Sequence, residues 1–250
     1  MNIQVILSYD GTPYLGWQEG GDGPTVEETL RKVLEQIYQE PFQLQAASRT
    51  DAGVHAAGQV VNFKPSKALD LDRLLISLNQ LLPKTIRVLA LKEVDEGFHP
   101  TLDNEGKEYH YHICLGPVQS PFRRYFSWHL HTPLDCEKMR EASSYFVGTH
   151  DFAALTNFPR PEETVRTLRR IDIFEEETGL RIEVEGDNFL YKMVRNLVGT
   201  LVYVGQGKLT LEMAQKLLQR KDRKKAGMTA PAHGLTLHRV FYRQQLKSPL

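Results

Sequence analysis

Only two of the 250 residues, Cys114 and Cys136, are cysteine. That scarcity excludes a disulfide framework, and no Cys-x-x-Cys pair or spaced Cys/His cluster suggests structural zinc. Long hydrophobic runs are absent too: the longest candidate, 189–204, is interrupted by Lys192, Arg195 and Asn196 and reads as an amphipathic core helix rather than a membrane span. The amino-terminal MNIQVILSYDGT has no basic stretch before its short apolar run, which is not the pattern of a secretory signal. A reducing, cytoplasmic, membrane-free setting is expected. Net charge is also missing, with Lys+Arg and Asp+Glu at 31 each, which argues against a protein that coats nucleic acid nonspecifically.

What is present points to a folded core, for 41% of residues are hydrophobic and 25% charged. The charge is unevenly spread: 1–125 carries 12 basic and 16 acidic residues, leaving 19 and 15 for 126–250. Segment 216–225, KLLQRKDRKK, holds six bases and one acid. It suits either a solvated helix end or a phosphate contact.

Periodicity supplies the elements. Ile3, Val5 and Leu7 share one face of an initial strand. Thr25 and Glu28 have capping-box spacing ahead of Val26, Leu30, Val33, Leu34 and Ile37, which predicts a helix to about Gln39. Strands are expected over 42–47, 57–63 and 86–94, with a helix over 70–82 capped by Asp70. This β-α-β-β-α-β order is ferredoxin-like. EGFHPTLDNEG at 96–106 reads as a junction. Beyond it, strands are expected at 107–115, 126–131, 168–174, 180–186 and 235–242, and helices at 135–147, 189–204 and 211–221. The expectation is an α+β protein of two ferredoxin-like halves, 1–105 and 106–250, with antiparallel or mixed sheets flanked by helices and a central active-site cleft.

Within QAASRTDAGVHAAGQVVNF at 45–63, one carboxylate, Asp51, stands near Arg49 and just ahead of Gly53. An aspartate before Ala-Gly can serve as a plain turn residue. A nearby guanidinium could instead hold it ionised, as a nucleophile or base requires. Gly53 permits a backbone angle closed to other residues, and Gly58 permits close approach of another backbone or a ligand.

SRTDAGVHA at 48–56 closely resembles the signature loop of the tRNA pseudouridine synthase A family. The resemblance continues, in family order, through YDGTPYLGWQ at 9–18, GQVVNF at 58–63, FH at 98–99, KEYHY at 107–111, GTHDF at 148–152, NFLYKMVRNLVGTL at 188–201 and AHGLTL at 232–237. It spans nearly the whole chain. It implies cofactor-free isomerisation of uridine to pseudouridine at nucleotides 38 to 40 of the tRNA anticodon stem-loop, by a homodimer. Asp51 matches the family's catalytic aspartate. It would attack ribose C1′ or remove the 2′ proton, and the sequence leaves both routes open.

The resemblance further matches Tyr109 to an active-site tyrosine that stacks on the base, Leu235 to a pocket leucine, and Arg195 to a site arginine paired with a carboxylate or an RNA phosphate. Arg49 is a candidate for filling the space left by a flipped uridine or for pairing with phosphate. The chain departs from the family where Glu19 follows Gln18, where Pro100 and Thr101 follow His99, and where Glu108 and His110 flank Tyr109. RNA binding must then draw on local bases such as Arg123, Arg124, Arg166, Arg169, Arg170 and the 216–225 cluster.

Three other readings use parts of the same sequence. His110, His112 and Cys114 alternate on one strand face, as do His129 and His131, and could in principle bind a metal, although the family needs none. VILSYDGT resembles the loop of haloacid-dehalogenase-like phosphotransferases, but Ser8 stands where their nucleophilic aspartate belongs. A noncatalytic RNA-binding module would not require Arg49, Asp51 and Tyr109 together.

Overall fold

The computed structural model describes residues 1–158 and 163–243. The chain divides into two compact units, one made of 1–105 and the chain from Thr236 onward, the other of Gly106–Leu235.

In the first unit β1 (Asn2–Tyr9), α1 (Val26–Tyr38), β2 (Gln45–Ala46), β3 (His55–Phe63), α2 (Leu71–Leu81) and β4 (Ile86–Val94) follow the expected order. Strand β1 lies between β3 and β4, antiparallel to both. Its alternation puts Ile3, Val5 and Leu7 at 0% exposure, and α1 adds Val26, Leu30 and Leu34 to the core. Each such side chain contributes about 1.5–3 kcal/mol through burial. The caps are as the sequence predicts: Thr25 accepts from Glu28 N and Asp70 from Arg73 N. The strand expected over 42–47 shrinks to two residues. Phe42 instead turns into an aromatic cluster with Tyr38 and Phe63, with edge-to-face centroid distances of 5.3 Å to each.

The second unit contains β5 (Asn104–Leu115, entering at Gly106), β6 (Trp128–Leu130), α3 (Cys136–Ser144), β7 (Gly148–Asp151), β8 (Val165–Glu176), β9 (Gly179–Gly186), α4 (Met193–Gly205), α5 (Leu211–Gln215) and α6 (Leu217–Arg220). Strand β9 runs antiparallel between β5 and β8, β7 pairs β8, and β6 adds in parallel to β5. Helix α4 starts four residues later than its apolar pattern suggests. Asp187 Oδ1 accepts from Asn188 N and Asn188 Oδ1 from Phe189 N, so side chains divert the backbone into a turn that ends at left-handed Lys192 (φ 60°). The helix expected over 211–221 breaks at Lys216 into α5 and α6.

The chain closes on β10 (Leu235–Tyr242), which pairs in parallel with β3 through Thr236 and Leu237. From Thr236 it therefore groups with the first unit, where the sequence pattern had assigned it to the second. Gly58 explains the close approach, because a Cβ there would stand 2.6 Å from the His238 carbonyl oxygen. No helix among the described residues is long and apolar enough to cross a membrane.

Candidate active site

Asp51 is half-buried at the turn between β2 and β3, and its backbone is held from several directions. Val54 N donates to Asp51 O at 3.1 Å, Gly53 N to Tyr14 O at 3.3 Å and Trp17 N to Thr50 O at 3.0 Å. Gly53 has φ +76°, the left-handed value its position in the sequence allowed for. Gly16, at φ +96°, packs its backbone directly beneath the turn, where any Cβ would lie 2.7 Å from Thr50 O. Below Asp51, the buried Thr50 hydroxyl shares a 2.8 Å hydrogen bond with Tyr9. Gln59 grips the start of the loop: its Nε2 donates to Ser48 O at 2.7 Å, and Ser48 N donates to its Oε1 at 3.2 Å. A carboxylate on such a loop is presented with little freedom to move. Its neighbour Arg49 is exposed and, among the described residues, forms no ion pair, so the local guanidinium–carboxylate contact considered from sequence is absent.

Asp10 and Gly11, at the end of β1, shape a turn, with Thr12 N donating to Asp10 Oδ1 at 2.9 Å and Gly11 N to His55 Nδ1 at 3.0 Å. A Cβ at Gly11 would meet Val54 O at 2.0 Å, so this turn too needs glycine to sit against the Asp51 loop.

In the second unit Tyr109 points to the same face of β5 as Lys107 and Tyr111. It is 7% exposed and meets Phe189 edge-on at a centroid distance of 5.1 Å. Tyr111 is fully buried, and its hydroxyl donates to Pro231 O at 2.8 Å. Burial pushes its ionisation well above that of a free phenol, so it stays a neutral donor. Arg195 lies in the first turn of α4, with its Nε donating to Ala230 O at 2.8 Å while Ala230 N donates to Arg195 O at 3.1 Å. The segment 230–235 thus links Arg195 to Leu235, which is 6% exposed. Arg49 and Asp51 therefore belong to one loop of the first unit, and Tyr109, Arg195 and Leu235 to a common scaffold in the second.

The scaffold depends on two residues whose roles periodicity could not reveal. Asn196 is 0% exposed and donates to Leu155 O and Asn157 Oδ1, both at 2.7 Å. Its own Oδ1 accepts from Arg223 and Thr229, each at 2.7 Å. Arg223 also donates to Gly227 O at 2.7 Å and Thr229 Oγ1 at 2.9 Å. Its place in a basic run gave a surface signal, yet this guanidinium turns inward. Other bases of the expected RNA surface are likewise engaged: Arg170 with Asp172 at 2.6 Å and Glu183 at 3.0 Å, Arg123 with Glu176 at 3.2 Å, and Lys221 with Asp151 at 2.6 Å. Arg124 is exposed and stacks over Tyr125 at 4.2 Å.

Three of the alternating histidines lie beside protein acceptors. His110 Nε2 lies 2.6 Å from Glu108, His112 Nδ1 lies 3.7 Å from Glu176, and His129 Nε2 contacts Gly116 O at 2.8 Å.

A uridine-isomerising enzyme is the class that matches this chain: a family model described as tRNA pseudouridine synthase matches residues 5–102 and 142–243, and the chain belongs to that family. Asp51, Arg49, Arg195 and Leu235 fall inside the matched segments, and Tyr109 falls between them. Among curated relatives, the chain is similar to tRNA pseudouridine synthase A 2 of Protochlamydia amoebophila, with 49% identity covering 96% of this chain and 94% of the relative. It is also similar to tRNA pseudouridine synthase A of Thermoanaerobacter sp., with 41% identity covering 96% and 99%. A solved Cbf5-Nop10-Gar1 complex is similar at 14% identity and a TM-score of 0.41, covering 96% of this chain and 50% of that one. The protein is an isomerase of tRNA uridine.

Proposed function

We propose that Asp51 carries out this isomerisation on a uridine of the tRNA anticodon stem-loop that has been turned out of the helical stack. The observation that carries the reading is the fixed, half-buried presentation of Asp51 on a loop tied to β1, β3 and the 11–17 turn. In the reaction the bond from ribose C1′ to uracil N1 breaks, the freed base turns over, and C1′ bonds to C5. The C5 hydrogen then leaves as a proton and N1 gains one, so no atoms are lost from the nucleotide and no electrons are exchanged with a cofactor. Two routes begin from the Asp51 carboxylate. In one it bonds C1′ as the uracil departs and is displaced by C5; in the other it takes the 2′ proton to give a glycal.

Extruding the base costs a few kcal/mol of unstacking. Tyr109 stacks on the extruded uracil, Leu235 closes the apolar side of the pocket, Arg195 supplies a cation to a carboxylate or an RNA phosphate, and Arg49 fills the vacated stack or pairs with phosphate. Arg49's exposure supports that last role. The protein works in the cytoplasm as a homodimer with no cofactor, a reading supported by its resemblance to the synthase A relatives.

The test is pseudouridine mapping with Asp51→Ala. The variant should bind the RNA and lose turnover by roughly 10⁴-fold or more, as when the nucleophile of a hydrolase is removed. Undiminished turnover would reject Asp51. Pseudouridine lost outside the anticodon stem-loop in cells lacking the protein would reject the assigned position.

A further inference from the structure

Lys107 is an uncommon residue in this molecule because it is a lysine at 4% exposure without a salt bridge. Among the described residues it forms no ion pair, and its ammonium makes one hydrogen bond, to Asn188 Oδ1 at 3.1 Å. A buried ammonium left with two unused donors is expensive to keep in a core for structural reasons alone.

The register explains what surrounds it. Lys107 pairs with Gly186, and Gly186 pairs with Leu168, so a row that begins with an ammonium continues across a residue with no side chain. Arg166 stands two residues before Leu168 and therefore on the same face. Among the described residues its Nε is buried without a hydrogen-bond partner, and its Nη1 donates to Val165 O at 2.6 Å. Two cations thus share one sheet face, and neither is held in an ion pair within the described residues. Asn188, the one hydrogen-bond partner of Lys107 among the described residues, is itself exposed.

We infer that Lys107 and Arg166 form a phosphodiester subsite that holds the RNA backbone next to the target uridine. This rests on the functional reading above, in which Tyr109 stacks on the base. Lys107 and Tyr109 are two residues apart on one face of β5, about 7 Å along a strand. A ribose spans that kind of gap between a base and its phosphate. Phe189 packs on Tyr109 and its neighbour Asn188 caps Lys107, so the same short segment covers both positions. Two cations with unfilled donors select an anion, and the phosphate oxygens of RNA offer several acceptors at once.

The protonation behaviour agrees. Burial, opposed by Asp187 and reinforced by Arg166, brings the Lys107 pKa down to about 8. The groups acting on it are Asp187 from the β9–α4 turn and Arg166 from β8, with Asn188 hydrogen-bonded to it and Tyr109 on the same face of its own strand. A bound phosphate favours the charged ammonium, so binding should weaken as pH rises through about 8.

The experiment measures binding of an unmodified anticodon stem-loop RNA to the full chain across salt concentration and pH, for wild type, Lys107→Met, Lys107→Arg and Arg166→Gln. Lys107→Met should weaken binding about tenfold and reduce the slope of log Kd against log salt by about 0.7 to 0.9. Wild-type affinity should fall between pH 7 and pH 9.5, whereas Lys107→Arg, which stays charged, should keep its salt slope and bind evenly over that range.

A wild-type slope and pH profile in both Lys107 variants would overturn the subsite. If Lys107→Met does not fold, the pH profile of Lys107→Arg decides alone. A parallel titration with inorganic phosphate separates the sources, because phosphate binding that needs Lys107 while the RNA slope does not would mark a site for the free anion and overturn the RNA assignment. Pseudouridine formation by wild type in the same series separates the two readings. No product defeats the functional assignment, and normal product with unchanged slopes defeats only the role of Lys107.

Discussion

Gln59 holds Ser48 by both of its backbone groups, donating to the carbonyl at 2.7 Å and accepting from the amide at 3.2 Å, three residues before Asp51. This two-point contact ties the loop to the middle of β3, with the side chain itself at 0% exposure. Replacing Gln59 with Leu leaves two backbone groups of Ser48 without their partner, at about 1–3 kcal/mol for each group that stays buried. The variant should lose about 2–4 kcal/mol in denaturant unfolding. Its kcat/KM should fall about 10- to 100-fold, because in the proposed reaction a displaced Asp51 would meet the ribose poorly. Unchanged turnover in a folded Gln59→Leu protein would show that the clamp does not position Asp51.

Arg223 joins Asn196, Gly227 and Thr229, and through them the first turn of α4 that carries Arg195. The Arg223→Met variant keeps much of the stem and removes these donors, leaving Asn196 Oδ1 with one donor fewer in the interior. A loss of about 2–5 kcal/mol in stability is expected, in the range for removing a charged hydrogen-bonding partner from a buried network. Calorimetry should record a lower Tm. The conservative Arg223→Lys variant should recover little, since an ammonium cannot span the separate acceptors that the planar fork reaches. A Tm within a degree of wild type for Arg223→Met would assign this base to the surface, as its sequence neighbourhood suggests.

His112 gives a pH signature. Burial lowers its pKa below the usual 6.5, with Glu176 opposing and Arg123, His110 and Arg181 reinforcing the shift, and its buried Nδ1 lacks a hydrogen bond. The unfolded chain therefore takes up the proton more readily than the folded one. The contribution of neutral His112 is fully present above pH 6.5 and is lost as pH falls through the lower folded-state value. Unfolding free energy measured from pH 7.5 down to 5 should decline less steeply in His112→Gln than in wild type. Parallel curves for the two proteins would remove His112 as the cause.

Much of the fold was legible in the chain because local rules and tertiary packing agree there. The Thr25 and Asp70 caps, the alternation of Ile3, Val5 and Leu7, and the helical spacing through Leu34 each state a preference that the core then rewards. Where they disagree, local hydrogen bonds or packing prevail. Phe42 leaves a strand-like run for an aromatic cluster, and Asp187 and Asn188 delay α4 despite its apolar pattern. The candidate site is marked in the sequence by SRTDAGVHA, and Gly53 and Gly58 take the backbone roles their freedom suggested. Gln59, Lys107 and Arg223 were not visible as supporting residues, since a polar side chain in a strand or a basic run carries no mark of which way it points.

The amino-acid sequence alone determined that this is an α+β chain with a specific aspartate loop and a family resemblance from end to end, because caps, periodicities and motifs act over a few residues. Tertiary structure alone decided that β10 joins the first unit beside β3, that Arg223 turns inward, and that Lys107 lies buried outside any ion pair of the described residues. Those outcomes depend on which strands pair and which charges are desolvated together, and both are set by residues far apart in the chain.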